Sequence, residues 1–405
     1  MRKRVLVDAR VRPGEPGGLE QYVLGLSRGL IALSQDTIDL VFLVFASTAE
    51  WFTDQVPGAV VFAVPDELST VGTGVLLTEQ ARRVAPRLLY LMSHLPLPTR
   101  MPRYRVPRGL PEVQLVHFTT QSAFETSCPF IYQPHDLQHI HLPDHFSWRR
   151  RKQRDLIYRH YCKRAAAVVV VSNWVKNDII AHYGIEATKI HVVPYAPPTA
   201  NYPTIEGEAA NELRERLRLP HQFAFYPAQT WAHKNHIGLL KALRRLRDEG
   251  LIIPLVCSGR KTDYFPSVWA EVERLELRDQ IHFVGFVAPA ELRFLYRSAR
   301  IVTVPTLFEA ASFPIWEAFA EHVPVACSNV TSLPELAEGA AAIFDPKNVD
   351  DMADAIRRVW VDERVRDAYA REGARRVAAL SWEKTALAMI RLYESLSVPR
   401  AGDPR

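Results

Sequence analysis

The chain has 405 residues, 48% of them hydrophobic and 23% charged, with a formal charge of +5 and a sequence pI near 9.0. At about 100–200 residues per domain, this length gives two or three domains, each able to bury a core without disulfides or a structural metal. The charge is uneven: residues 1–200 hold 23 Lys and Arg against 17 Asp and Glu, while residues 201–405 hold 27 against 28, so the first half is the one suited to an anionic partner.

At the start, Met1-Arg2-Lys3-Arg4-Val5-Leu6-Val7-Asp8 has a basic flank, but its apolar stretch ends after three residues. A secretory segment needs about 7–15 apolar residues in a row, so none is expected here. No apolar run approaches the roughly 20 residues of a membrane span. Cys128, Cys162, Cys257 and Cys327 are widely spaced with no Cys-x-x-Cys pair. That pattern argues against a zinc ribbon or a disulfide framework and fits a reducing compartment.

Along the chain, short β-branched runs alternate with amphipathic stretches. Val5–Val7, Leu40–Phe45, Val60–Val64, Leu115–Phe118, Phe130–Gln133 and Val168–Val171 read as buried strands. Helices are expected at Glu20–Ser34, Glu79–Met92 and Trp148–Arg164. Continuously apolar strands separated by helices are the pattern of a parallel sheet covered on both faces. Four prolines fall within residues 194–203, which reads as a hinge. The alternation then restarts with strands at Phe223–Tyr226, Leu255–Cys257, Ile281–Val284, Ile301–Val304, Val325–Cys327 and Ile343–Phe344. The expected helices of this half are Ile237–Glu249, Pro266–Leu275, Pro289–Ser298, Pro314–Glu321, Val349–Val359 and Glu363–Ala379. Two βαβ domains are the economical reading, residues 1–197 and 204–382, with a last helix near 383–398 crossing back to the first. Ligands of such sheets bind beyond the carboxyl ends of the strands, here in the cleft expected between the domains.

The segment Thr306–Ala318 is the most informative. It leaves a strand and enters a helix whose first turn takes Pro314, with Ser312 placed to cap it. The main-chain N–H groups around Ala311, Ser312 and Phe313 would form a positive helix end suited to a phosphate. Glu309 and Glu317 flank this end. Beside an anion site, carboxylates serve better as acceptors for neutral hydroxyls, although Glu317 also reads as a plain first-turn acid. Upstream, the loop after Tyr226 carries Gln229 and Lys234, and a lysine there can reach a phosphate as a point charge. Solvated surface is the common alternative for such a lysine. His135, in Pro134-His135-Asp136, sits at a strand's carboxyl end in the basic half. Gly17 and Gly18 follow the first strand without dinucleotide-binding spacing, and either admit close approach of a ligand or make a plain turn.

Taken in order, these pieces resemble the retaining glycosyltransferases of family four, which have the GT-B fold of two Rossmann-like, doubly wound parallel-sheet domains. The most specific part is Glu309 and Glu317, with seven residues between them, leading into Val323–Ser328, Ser332-Leu333-Pro334-Glu335 and Phe344-Asp345-Pro346. Lys234-Asn235, His135-Asp136, the Gly17-Gly18 loop and Ser381-Trp382 fall where the family would put them.

The resemblance implies a sugar moved from a nucleotide-diphosphate donor, GDP-mannose or another, to a glycan or lipid-linked acceptor, with retention and with no metal or other cofactor. It implies catalytic roles for His135, Glu309 and Lys234, a ribose contact for Glu317, and donor contacts for Gln229, Ala311, Ser312, Phe313 and Arg260. Gly17 and Gly18 would face acceptor or diphosphate. The expected setting is cytoplasmic surface-polysaccharide synthesis, with the basic first half resting on anionic membrane and no nucleic acid partner. Two departures stand out. Glu-Gly-Phe-Gly-Leu-Pro becomes Glu309-Ala310-Ala311-Ser312-Phe313-Pro314, and the usual arginine near the lysine is absent, leaving Arg260 or Lys261 as substitutes. The competing readings are a non-catalytic nucleotide-sugar-binding protein and a sugar-nucleotide epimerase of the same fold.

Overall fold

The protein is described from a computed structural model covering residues 2–14, 18–34, 38–66 and 109–396. The expected helix Glu79–Met92, Gly17, and the arginines at 82, 83, 87, 100, 103, 105 and 108 lie outside the described residues. The chain divides into two compact units.

The first unit comprises Met1–Val170, Lys176–Val193 and Ala386–Arg405. Its sheet has seven parallel strands: β1 (Lys3–Asp8), β2 (Ile38–Phe45), β3 (Val61–Val64), β4 (Leu115–Phe118), β5 (Phe130–Tyr132), β6 (Ala167–Val170) and β7 (Ile190–Val192). They are ordered β3-β2-β1-β4-β5-β6-β7. Val5, Leu6 and Val7 are wholly buried, as expected for a central strand covered on both faces. Winding runs outward in both directions from the β1/β4 junction, and this reversal leaves a crevice at the carboxyl ends of those two strands. The end of the last helix, Trp382–Ser395, belongs to this unit. Lys3 Nζ donates to the Tyr393 and Leu396 carbonyls at 2.6 Å each, and Tyr393 Oη lies 2.6 Å from His117 Nδ1.

The second unit comprises Val171–Val175 and Pro194–Thr385. Its six parallel strands are β8 (Ala224–Pro227), β9 (Leu255–Ser258), β10 (Ile281–Gly285), β11 (Ile301–Val304), β12 (Val325–Ser328) and β13 (Ala341–Phe344). Their order is β10-β9-β8-β11-β12-β13, which repeats the reversal at β8/β11. The proline-rich stretch is not an exposed connector: Tyr195–Thr199 is buried, and Pro198–Asn201 forms a 3-10 turn. The Tyr195 ring packs on Phe313 at 6.2 Å and on Trp316 at 6.4 Å. Prolines are barred from helix interiors and sheet centres, yet they suit the first positions of such a turn. β7 and the helices Ala49–Gln55, Asn173–Tyr183 and Gly207–Arg216 are not among the expected elements.

Candidate active site

In the second unit the β8/β11 reversal brings two loops together. The loop after β8 runs through the turn Ala232–Lys234 to Asn235, which adopts the left-handed conformation (φ 58°) and caps the helix His236–Asp248. Asn235 Oδ1 accepts from Gly238 N at 3.2 Å. Its Nδ2 donates at 3.0 Å to the carbonyls of Pro305 and Pro346, which follow β11 and β13. One side chain thus fixes three strand-end loops, and with them the lysine before it. The Lys234 carbonyl accepts from Tyr226 Oη at 2.7 Å. The Lys234 ammonium forms an ion pair with Glu309, whose main-chain N–H donates to Thr331 Oγ1 at 3.2 Å. Both side chains keep a minor exposed fraction, 20% and 16%, so the pair is reachable from solvent.

The helix that follows, Phe313–Ala320, carries Pro in its first turn. Ser312 occupies the cap position, but its hydroxyl makes no capping bond and is buried without a partner. The expectation that this hydroxyl caps the helix is therefore corrected. At Ser312 φ is −120°, and neither Ala310 nor Ala311 has positive φ. The loop asks for no left-handed residue, which is why alanine and serine stand where the resemblance expects glycine. Ala311 and Phe313 are half-buried at the helix start.

For Glu317 the alternative of a plain first-turn acid falls away. The residue lies beyond the first turn, is 5% exposed, and accepts from Tyr296 Oη at 2.5 Å. Burial pushes its carboxyl up to about 7, against the opposing pull of the Tyr296 hydrogen bond. A solvated helix-start acid would show neither feature. Gln229 accepts from Trp231 Nε1 at 3.1 Å. Arg260 is exposed, its guanidinium 5.1 Å from the centre of the exposed Phe286 ring, and Lys261 covers Phe265 at 4.5 Å.

In the first unit, His135 follows β5 with φ 64°, an uncommon value for a residue with a side chain. Its Nε2 lies 2.7 Å from the Thr119 carbonyl, which can only accept, so Nε2 carries the proton and Nδ1 is the ring's acceptor. Burial lowers its pKa, leaving a neutral imidazole at neutral pH. The ring meets Tyr22 edge-on at 5.6 Å. Tyr22 N–H donates to the Gly18 carbonyl at 3.0 Å, and Gly18 begins the helix Leu19–Leu33 in the left-handed conformation (φ 76°). Gly18 and His135 are thus drawn to the same strand ends. Behind them, Gln133 Oε1 accepts from Tyr22 Oη at 2.7 Å and faces His117 Nε2 at 2.8 Å. The sequence reading named Asn235 only beside Lys234, and did not single out Tyr296, Thr331 or this Gln133–His117 pair. Of these, only Asn235 carried a local signal, as a capping residue type before a helix.

A parallel sheet with one reversal of strand order in each of two units is the architecture of the GT-B fold. Solved structures agree on the fold. Sucrose-phosphate synthase from Thermosynechococcus elongatus superposes with a TM-score of 0.70 at 18% identity, over 97% of this chain and 98% of that one. HepE from Anabaena, solved in complex with UDP and glucose, gives 0.70 at 16%, over 98% and 100%. The family model "Glycosyl transferases group 1" matches residues 211–376, and "Glycosyltransferase Family 4" matches residues 16–197. The chain belongs to this glycosyltransferase family. Among curated relatives, O-antigen chain mannosyltransferase B of Escherichia coli is 28% identical over 263 residues, 65% of this chain and 69% of that protein. O-antigen chain mannosyltransferase RfbU of Salmonella typhimurium is 26% identical over 234 residues, 55% of this chain and 62% of that protein, under two thirds of its length.

Proposed function

We propose that the chain moves a sugar, with retention at the anomeric carbon, from a nucleotide-diphosphate donor to a glycan or lipid-linked acceptor in the synthesis of a surface polysaccharide or glycoconjugate. The O-antigen mannosyltransferases among its relatives favour mannose, with GDP-mannose as donor. The observation that carries this reading is the Lys234–Glu309 pair at the β8/β11 reversal. Lys234 has three N–H donors and gives one to Glu309, which leaves donors for the diphosphate oxygens and for the charge that grows on them as the glycosidic bond breaks. Glu309 has acceptor capacity for sugar hydroxyls, and the helix start at Ala311–Phe313 adds a positive end for phosphate. Glu317 is assigned to the ribose diol. Neutral His135, accepting through Nδ1, suits a sugar hydroxyl. With the leaving charge carried by Lys234 and main-chain N–H groups, the chemistry calls on no divalent metal, and added Mg²⁺ or Mn²⁺ should leave turnover unchanged.

The test is transfer from a labelled donor by Lys234→Ala, Glu309→Ala and Glu317→Ala variants that retain the native circular dichroism. Each should lose on the order of 10²–10³ in kcat. Full transfer by all three overturns the site. A thermal-shift screen of UDP-, GDP- and ADP-sugars names the donor, because a ligand at 100 times its Kd stabilises by about 2.7 kcal/mol. The anomeric configuration of the product tests retention.

A further inference from the structure

The segment that carries His135 continues into the short helix Gln138–His141, whose last residue meets a second element of the same unit. His141 Nε2 lies 2.8 Å from Asp178 Oδ1, and His182 Nδ1 lies 3.0 Å from the same oxygen. Asp178 and His182 are four residues apart on the helix Asn173–Tyr183, and so share one face of it. One ligand atom from each of the three residues lies within 4.8 Å of the other two, and the imidazole rings meet edge-on at 5.3 Å.

Hydrogen bonding alone leaves this cluster incomplete. The Asp178 side chain is 5% exposed, and its ion-pair partners among the described residues are the two histidines. Both of them address Oδ1, while Oδ2 is buried with no partner. His182 Nδ1 is also 3.0 Å from the Asp178 main-chain carbonyl, so its proton has a second acceptor and is not committed to the carboxylate. A buried carboxylate oxygen without a donor is costly. A cation held by the three side chains would neutralise the carboxylate and displace the ring protons that now point at it, freeing a lone pair on each imidazole for the metal.

The geometry points to a zinc-type divalent cation site formed by His141, Asp178 and His182, which ties the segment after His135 to the helix Asn173–Tyr183. Two imidazoles and one carboxylate suit zinc or a neighbouring transition metal better than magnesium or calcium, which prefer oxygen throughout. In a tetrahedral site with bonds of about 2.0–2.1 Å, neighbouring donors stand about 3.3 Å apart, so each histidine nitrogen needs to move from Asp178 Oδ1 by only a few tenths of an ångström. The histidine side chains are 30% and 36% exposed, giving the ion a way in and a solvent-side position for water. The site is separate from the Lys234–Glu309 pair and does not rest on the donor reading. Its role is to brace a loop, not to supply chemistry. It escapes a search of the sequence because His141 and Asp178 are 37 residues apart.

The test uses the full chain, stripped of metal by chelation and dialysis. Titration with ZnCl₂ by calorimetry should show one equivalent bound per chain, and CoCl₂ should give the visible bands of a low-coordinate site. Zn²⁺ should also raise the Tm. Outer-shell losses already cost about 10–100-fold in metal affinity, so the His141→Gln/His182→Gln double variant should bind Zn²⁺ at least about 100-fold more weakly and lose the Tm response. Should the double variant unfold, His182→Gln alone carries the same comparison. Failure of the native chain to bind one equivalent overturns the proposal. So does binding of undiminished affinity in the variant, which would assign the ion to other histidines or thiols.

Discussion

Glu317 shows how far a single side chain's setting can differ from the one its sequence position suggests. Its carboxyl rises from an ordinary 4.5 to about 7 through burial, so the folded state holds a proton that the unfolded chain releases. The sign follows: the stabilisation is complete below pH 4.5 and is lost as pH rises toward and through 7. Glu317→Gln keeps a neutral acceptor for Tyr296 and should flatten this part of the Tm–pH profile, a result that scanning calorimetry from pH 4 to 8 would check. The buried histidines act in the opposite direction. Burial lowers His117 and His236 from 6.5 to about 3, so their contribution is present above 6.5 and is lost as pH falls through 3. Acid unfolding should therefore take up protons at these rings. At this scale the motif residues Lys234, Glu309 and Glu317 were legible in the sequence by type and spacing. The partners that set their state were not: Tyr296 is 21 positions from Glu317, and nothing local marks it as a hydroxyl that will meet a carboxylate.

Among the elements, the strands were the more legible part. β1, β4, β6, β9, β11 and β12 are apolar, β-branched runs, and burial on both faces requires that composition. β7 escaped because it is three residues long with His191 at its centre, and it is recognised only by its pairing with β6. The helix Asn173–Tyr183 has Asp178 and His182 on its face, so its apolar stripe is broken by the very residues that meet His141. Close packing of helices is equally hidden. On the helix Glu363–Val377, a Cβ added at Gly373 would stand 2.8 Å from Phe319 Cγ and 2.9 Å from Cε1, on the helix Phe313–Ala320. Within a helix, Gly→Ala ordinarily gains about 0.5–1 kcal/mol. Here overpacking costs about 1–3 kcal/mol, so Gly373→Ala should lower stability by about 1–2 kcal/mol, and urea unfolding would show the reversed sign.

For the whole molecule, the last helix is the part whose removal has the widest effect. Ala386, Met389, Ile390 and Tyr393 are buried, and Tyr393 is a hydrogen-bond partner of the buried His117. Tyr393→Phe leaves a buried ring nitrogen unpartnered and should cost about 1–3 kcal/mol by urea titration. Truncation at Leu380 should abolish the cooperative transition of the first unit. The charge asymmetry also belongs to this scale. Arg150 and Lys152 are exposed on the helix Trp148–Arg164 beside Trp148, which is 44% exposed. Arg154, by contrast, is engaged with Asp136 and Tyr158. We propose that the exposed set rests on anionic headgroups, each cation near such a surface contributing about 1 kcal/mol. Flotation with anionic vesicles should carry the protein, and Arg150→Glu/Lys152→Glu should reduce that fraction; indifference to lipid charge discards the idea.

Tyr393 stands 276 residues from His117 along the chain, which has a bearing on biosynthesis. At about 5–20 residues per second, roughly 14 to 55 seconds separate the emergence of the two from the ribosome. Throughout that interval the first sheet lacks its last helix, and the His117 ring at its centre, held by Gln133 through Nε2, has no partner for Nδ1. The second unit draws all of its residues from the stretch made in the meantime. The half that is translated first is thus the half that finishes folding last, and a nascent chain stalled before Tyr393 should remain open to protease in its amino-terminal sheet.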